Sequence, residues 1–342
     1  MRLEEFDFYL PKELVAQKPM HPRDCSRLLV LYRAKNEIIH KRFKNIGDYL
    51  EKGDIVVLNN TKVLPVRVYG FKEKTKGKVE ILLLKSFNDK RWEVLIKPGK
   101  SVHSGTKIIF DSKLSGIVTE KIEDKGSYII EFNFSGNFIE ILKKIGYAPT
   151  PPYIKEELEN RYDYQTVYAT QDGSIAAPTA GFHFTKSLLK ELAYKGIDIV
   201  YITLHIGRGT FEPIRVSEVE RHKMSSEFYS ISTKVAQKIN TARSENRRII
   251  SVGTTTTRAL ESAFDFIENK VISGSKWSEI FIYPGYKFKV INVLITNFHL
   301  PKSTPLLLAA AFANTELLLK AYQEAIKENY RFYSFGDSML II

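Results

Sequence analysis

The feature that most constrains this chain is a change of hydrophobic period near residue 146. Before it, apolar residues fall in short runs separated by Gly, Asn, Asp and Lys turns. After it, strand-like runs alternate with segments of helical spacing. The first pattern covers residues 54–58, 63–70, 78–84, 91–96, 106–110, 116–120 and 127–134. Short strands at this spacing predict a small antiparallel barrel, whose closure removes exposed sheet edges. Residues 138–145 have helical spacing and stop at Gly146. The proline-rich run Tyr147-Ala148-Pro149-Thr150-Pro151-Pro152-Tyr153 is held extended and reads as the exit from the barrel.

Beyond that exit, Thr185 can cap a helix carrying Leu188, Leu189 and Leu192, with a stop at Gly196. Residues 197–206 read as an apolar strand buried on both faces. Helical spacing returns at 232–243, with Val235, Ile239 and Ala242 on one side. A strand at 248–252 leads through Gly253 and a threonine run into a helix at 258–266. Residues 290–296 read as a strand, Ser303-Thr304-Pro305 starts a helix, 315–328 is another helix, and 332–335 returns as a strand. Such alternation predicts a layered α/β domain. Residues 1–60 do not look like an independent domain. The expected organisation is an α/β main domain, residues 1–60 and 147–342, with an inserted small antiparallel β-barrel domain, residues 61–146.

Composition narrows the function classes. The chain of 342 residues is long enough for two cores. The acidic start Met1-Arg2-Leu3-Glu4-Glu5 does not read as a secretory signal, and the apolar run at 306–313 is too short to span a bilayer. Cys25 is the single cysteine, so no internal disulfide or thiolate cluster forms, and a reduced, cytoplasmic setting is expected. The seven histidines lack metal-ligand spacing, so no metal is expected. A net charge of +12 is either a solubilising surface or the footprint of a polyanionic partner.

Polar residues interrupt the regular elements at four places. Gly173–Thr185 is a run of small residues around His183: either a close-approach loop for a ligand or a tight loop with a surface histidine. Thr203-Leu204-His205-Ile206-Gly207-Arg208-Gly209-Thr210-Phe211 ends an apolar strand: either a ligand turn or an ordinary strand exit. Gly253-Thr254-Thr255-Thr256-Thr257-Arg258 opens a helix: either an anion site clamped by Arg258 or threonine capping. Thr296-Asn297-Phe298-His299-Leu300-Pro301-Lys302-Ser303 again ends a strand, facing a cleft or capping the next helix. Two further runs, His222–Glu227 and Tyr333–Ser338, each read alone as surface. Recurrence at the strand ends of one α/β domain points to a single cleft.

These segments together resemble the S-adenosylmethionine:tRNA ribosyltransferase-isomerase family of queuosine biosynthesis. The resemblance runs through Phe8–Gln17, Arg23–Leu29, Leu58–Val63 and Gly146–Ile154. It continues through Arg161–Tyr168 and the four runs above, and closes on Tyr330–Leu340. Two positions depart from the family pattern: Ser225 stands where the family has His, and Lys62 where it has Arg.

The resemblance implies an α/β domain with an inserted barrel, and a reaction on tRNA. The ribosyl part of S-adenosylmethionine moves to 7-aminomethyl-7-deazaguanine in the anticodon and is rearranged to give epoxyqueuosine, with release of adenine and methionine. S-adenosylmethionine is consumed as a substrate and no cofactor is implied. The chemistry needs general acid–base groups, and the pool is His183, His205, Glu227, His299 and Asp337. Substrate contacts are expected from Arg23, Asp24, Arg27, Asn60, Thr179, Gly181, Gly207, Gly209, Thr254, Thr255, Arg258, Asn297 and Ser303. For the tRNA, Arg67, Lys97, Lys100 and Arg161 are basic candidates that nothing distinguishes from solvated charges. A splayed anticodon base would stack on a tyrosine or phenylalanine, and the sequence singles out none. Monomer is the default state. The competing classes are an S-adenosylmethionine-dependent RNA methyltransferase, whose early Gly-rich strand–loop–helix is missing from the N-terminal region, and a non-catalytic RNA-binding barrel.

Overall fold

The computed structural model describes every residue except 124, 125, 157, 159 and 208–213, with Arg161 lacking a described side chain. Two compact units emerge: Met1–Lys62 with Pro151–Ile342, and Val63–Thr150.

The larger unit is built on a nine-stranded mixed sheet in the order Gly274–Ser278, Glu227–Ile231, Asp198–Leu204, Ile55–Asn59, Ile249–Val252, Val293–Asn297, Ser338–Ile341, Arg27–Tyr32, Glu37–Arg42. Its middle four strands, from Asp198–Leu204 to Val293–Asn297, run parallel. Strand parity assigns the faces. Ile55, Val57, Leu29, Leu31 and Leu294 point into one core, while Val56, Leu58, Leu28, Val30 and Ile295 point into the other. A sheet packed on both faces requires near-continuous apolar strands, which these are. The first core is covered by the helices Thr233–Ser244, Thr254–Ser262, Thr304–Ala313 and Thr315–Lys327. The second is covered by Lys186–Tyr194 and the 3-10 segment Phe43–Tyr49.

Local chemistry sets the helix boundaries. Thr185 accepts from the Leu188 N–H, Ser232 from Val235 and Ser303 from Leu306, each a side-chain N-cap. Three expectations fail. The strand Asp198–Leu204 is not buried on both faces, because Tyr201 on its second face is 38% exposed where the helical cover ends. The helix expected at 258–266 is Thr254–Ser262, so the threonine run lies inside it, and Phe264–Asp265 is already a strand. Residues 332–335 are not a strand: Tyr333 has φ of +71° and Gly336 turns tightly against the Arg331 carbonyl. The strand that follows is Ser338–Ile341.

The smaller unit is a closed antiparallel barrel in the order Ser127–Phe134, Arg91–Lys97, Lys78–Ser86, Arg67–Lys72, Lys107–Ile109, Leu114–Ile122. Alternate residues fill it, among them Val68, Val79, Ile81, Leu83, Ile108, Val118, Ile130 and Phe132. The helix Phe138–Ile145, capped by Asn137, packs Phe138 against the rings of Trp92, Phe132 and Phe134.

Candidate active site

The parallel strands end in Asn59-Asn60, Leu204-His205, Val252-Gly253 and Asn297-Phe298, which therefore share one edge of the sheet. The antiparallel neighbours bring Ser338 opposite Asn297 and Ser278 opposite Glu227 at the same edge. Ligands of open α/β sheets bind at this carboxyl edge. A cleft opens there between Thr179-Ala180, Gly253-Thr254-Thr255, Thr296–Leu300, Ser303, Tyr153 and Tyr333-Ser334.

The threonine run divides in function. Thr256 and Thr257 donate their hydroxyls back to the carbonyls of Val252 and Gly253. Thr254 and Thr255 line the cleft. The N-cap is Gly253, at φ of +90°, and no side chain caps the helix. Threonine capping is thus not what the run does. The first-turn N–H groups and two hydroxyls are left at the cleft, as an anion would need.

Arg258 does not clamp that anion. Its Nη1 donates to Glu227 Oε2, and its Nε donates to the Ile280 carbonyl at 3.1 Å. Glu227, 2% exposed, also accepts from the Gly207 N–H at 3.0 Å. Burial forces this pairing, since either charge alone would be uncompensated. Glu227 and Arg258 are therefore committed to each other, and neither is the open acid or clamp that the sequence led one to expect.

His183 is buried, not a surface residue. Asn297 Nδ2 donates to the Tyr333 carbonyl at 2.8 Å, so its Oδ1 faces His183 Nε2 at 3.3 Å. That nitrogen must carry the proton. Nδ1 then accepts from the Ser26 hydroxyl at 2.7 Å. Burial lowers the His183 pKa to about 4, and the nearby Arg331 and Arg23 push the same way against the Asn297 hydrogen bond. The ring is neutral at pH 7 with both nitrogens occupied.

His299 differs. Its Nε2 lies 2.7 Å from Thr296 Oγ1 and its backbone N–H donates to the Tyr322 hydroxyl. Its Nδ1 has no hydrogen-bond partner among the described residues, and the residue lines the cleft. Burial pulls its pKa well below the ordinary histidine value, to about 3. His205 also keeps one nitrogen open among the described residues. Its Nδ1 meets Thr61 Oγ1 at 2.8 Å, its ring stacks on Phe228, and burial lowers its pKa. It lies off the cleft lining.

Asp337 is 1% exposed and accepts the backbone N–H groups of Arg27 and Arg331, each at 2.8 Å. It fastens the strand starts and is no free acid–base group. The surface reading of 333–338 fails with it: Tyr333 and Ser334 are buried as well.

The remaining positions hold the fold around the cleft. Arg23 donates to the carbonyls of Gln165, Tyr162 and Asp163. Asp24 accepts from Thr185 Oγ1. Arg27 donates to the Glu328 carbonyl and lies 3.8 Å over the Tyr330 ring. Asn60 accepts from Thr203 Oγ1. Ser303, on the cleft wall, is also the cap of its helix. At Gly181 a Cβ would sit 2.0 Å from the Tyr168 hydroxyl, so only glycine fits. Gly209 lies outside the described residues. Tyr153 carried no catalytic signal, reading only as barrel exit. It forms a cleft wall, bonds Ser334 Oγ at 2.7 Å, and burial pushes its pKa up to about 12. Among the described residues, no group of three His, Cys, Asp or Glu could hold a metal ion, and no helix is long and apolar enough to cross a membrane.

Comparison with known proteins gives a consistent answer. Curated proteins named S-adenosylmethionine:tRNA ribosyltransferase-isomerase match end to end. One from Halothermothrix orenii is 51% identical and one from Clostridium kluyveri is 52% identical, with the whole of both chains covered in each case. The crystal structure of an S-adenosylmethionine tRNA ribosyltransferase from Thermotoga maritima is 36% identical, superposes with a TM-score of 0.56, and is covered in full by 99% of this chain. The family described as queuosine biosynthesis protein matches residues 3–341. The chain belongs to the queuosine biosynthesis protein family.

Proposed function

We propose that this protein is a tRNA ribosyltransferase-isomerase that moves the ribosyl moiety of S-adenosylmethionine onto 7-aminomethyl-7-deazaguanine in a tRNA anticodon. The product is epoxyqueuosine, with adenine and methionine released, in the cytoplasm and without a cofactor. The observation that carries the reading is the cleft itself: an uncapped helix start beside a neutral histidine with an open ring nitrogen, in a chain that matches the relatives over its full length.

The sulfonium of S-adenosylmethionine acidifies the adjacent 5′ protons. His299, neutral at pH 7, accepts one of them through Nδ1. The N–H groups and hydroxyls at Thr254-Thr255 receive the methionine carboxylate, in place of the Arg258 clamp. The ring C4′–O4′ bond then breaks and the glycosidic bond follows, leaving an aldehyde at C1′ and a vinyl sulfonium, while adenine takes the proton back from His299. The aminomethyl nitrogen adds to C4′ and gives up an N–H proton to solvent. The resulting ylide carbon C5′ closes onto C1′, and the alkoxide so formed displaces methionine as the thioether to make the epoxide. Ser26, His183 and Asn297 hold the cleft wall rigid while this happens. The test is direct. The full chain is incubated with tRNA carrying the modified guanine and with S-adenosylmethionine, and products are resolved by chromatography. Free adenine and methionine in equal amounts are expected. S-adenosylhomocysteine would show a methyltransferase, and binding without turnover an RNA-binding protein.

A further inference from the structure

The outer wall of an antiparallel barrel is ordinarily polar, with apolar residues confined to the inward positions. One part of this wall breaks that rule. On the strand Arg67–Lys72 the outward positions are Arg67, Tyr69 and Phe71. Tyr69 is 38% exposed and Phe71 51%. The Tyr147 ring, 60% exposed, stands 5.6 Å from that of Tyr69 at 71°, because its backbone pairs with Arg67. Phe71 lies opposite Lys78 on one neighbouring strand and Ile109 on the other. Isolated exposed rings need no explanation, but a contiguous row of three does.

Charge surrounds the row. The Lys78 ammonium sits 4.9 Å over the Tyr69 ring. The hairpin Phe71-Lys72-Glu73-Lys74-Thr75-Lys76-Gly77-Lys78 holds four lysines and one glutamate. Glu73 is taken up by Lys107 at 2.7 Å, and Glu80 by Arg67 at 3.4 Å. Residues 63–150 carry 16 Lys and Arg against 10 Asp and Glu, which is +6 of the chain's +12 in about a quarter of its length.

Resting on the proposed function for its partner, we infer that this wall binds single-stranded RNA of the tRNA substrate: unstacked bases lie on Tyr69, Phe71 and Tyr147 while the lysines of the 72–78 hairpin track the phosphates. Rings exposed beside ammonium groups are the arrangement that single-stranded nucleic acid requires. Every base offers a π-face, and each neutralised phosphate releases counterions. A protein partner would be met by a drier patch with fewer lysines, since lysine is depleted at protein interfaces.

The experiment is fluorescence anisotropy with the full chain and a labelled anticodon stem-loop RNA, over a series of salt concentrations. The triple variant Tyr69→Ala, Phe71→Ala, Tyr147→Ala should bind about tenfold more weakly or worse, as loss of base stacking demands. Replacing Lys72, Lys74, Lys76 and Lys78 by Ala should flatten the dependence of log Kd on log salt. Lys78→Glu, a single surface reversal, gives the same readout should the triple variant fold poorly. Wild-type Kd and salt slope in all three would overturn the inference. The proposed reaction is scored separately, by adenine release. Unchanged binding with normal turnover rejects this surface alone. Weakened binding of variants of a chain that releases no adenine supports the surface and rejects the reaction.

Discussion

The carboxyl edge of the main sheet and the outer wall of the barrel are both rich in polar and aromatic residues, yet they are built in opposite ways. At the sheet edge, side chains are buried and interlocked: Ser26 to His183 to Asn297, Glu227 with Arg258, and Asp337 with two backbone N–H groups. On the barrel wall, Tyr69, Phe71 and Tyr147 are open to solvent. A buried network cannot move without leaving a donor or charge unpaired, so it fixes positions to the tolerance that bond-making needs. The rings on the wall are in large part open to water and adapt to whatever base arrives. The difference separates a surface suited to chemistry from one suited to recognition. Substitutions should act on the two through different observables: turnover and stability in the first, affinity in the second.

The sharpest way to break that contrast is His299. It alone among the acid–base pool both lines the cleft and keeps an open nitrogen. His299→Gln should lower kcat by about 10²–10⁴-fold, the usual worth of a positioned proton acceptor, while the KM for S-adenosylmethionine changes little. Its depressed pKa adds a second readout. A base whose pKa is about 3 is already neutral through the ordinary histidine range. The acid limb of kcat/KM should therefore lie well below pH 6, not near the ordinary histidine value. A limb at that ordinary value would assign the proton transfer to another group.

Next in size is the Glu227–Arg258 pair. Glu227→Ala leaves a buried guanidinium without its partner, and chemical denaturation should show a loss of about 3–5 kcal/mol. The double variant Glu227→Met, Arg258→Met should recover most of it. If Glu227→Ala instead kept full stability and lost only turnover, Glu227 would be a catalytic group after all.

How much of this was legible in advance follows from the range of the forces involved. The barrel, the α/β layers and most helix starts are written in local patterns: alternation on strands such as Lys78–Ser86, and side-chain caps at Thr185, Ser232 and Ser303. The convergence of the polar runs was legible too, because parallel strands deliver their carboxyl ends to one edge. Partners were not. Nothing near Arg258 in the chain says that Glu227, 31 residues away, takes its charge. Nothing near Asp337 announces the Arg27 N–H, 310 residues distant. Tyr333 was hidden for another reason: its positive φ turns the chain where its apolar neighbours read as a strand. Pairing across the fold is a tertiary property, and residue type alone cannot distinguish a catalytic carboxylate from one that ties two strands together.

His183 sharpens the contrast through pH. Its folded pKa of about 4 lies below the unfolded value of 6.5. The unfolded chain therefore binds the extra proton first as pH falls. The stability contributed by the neutral ring is complete above pH 6.5 and is lost progressively toward pH 4. The loss is roughly 3 kcal/mol, since each tenfold difference in proton affinity between the two states is worth about 1.4 kcal/mol. Denaturant midpoints measured from about pH 7.5 down to about pH 4 should fall, and His183→Gln should flatten that fall. An equal slope in wild type and variant would place the acid sensitivity elsewhere.

The smallest effect is the most discriminating. Tyr69→Ala, Phe71→Ala and Tyr147→Ala should each shift stability by no more than about 1 kcal/mol, the scale of a surface substitution that gives up at most an exposed ring pair. Thermal midpoints of the single variants check this. Each of these rings already has much of its apolar area in water, so its removal gives up little burial. A loss of several kcal/mol from Phe71→Ala would mean that the row packs on the barrel and supports its closure, and the wall would then be structural. Near-neutral stability together with weakened RNA binding is what separates a surface kept for a partner from one kept for the fold.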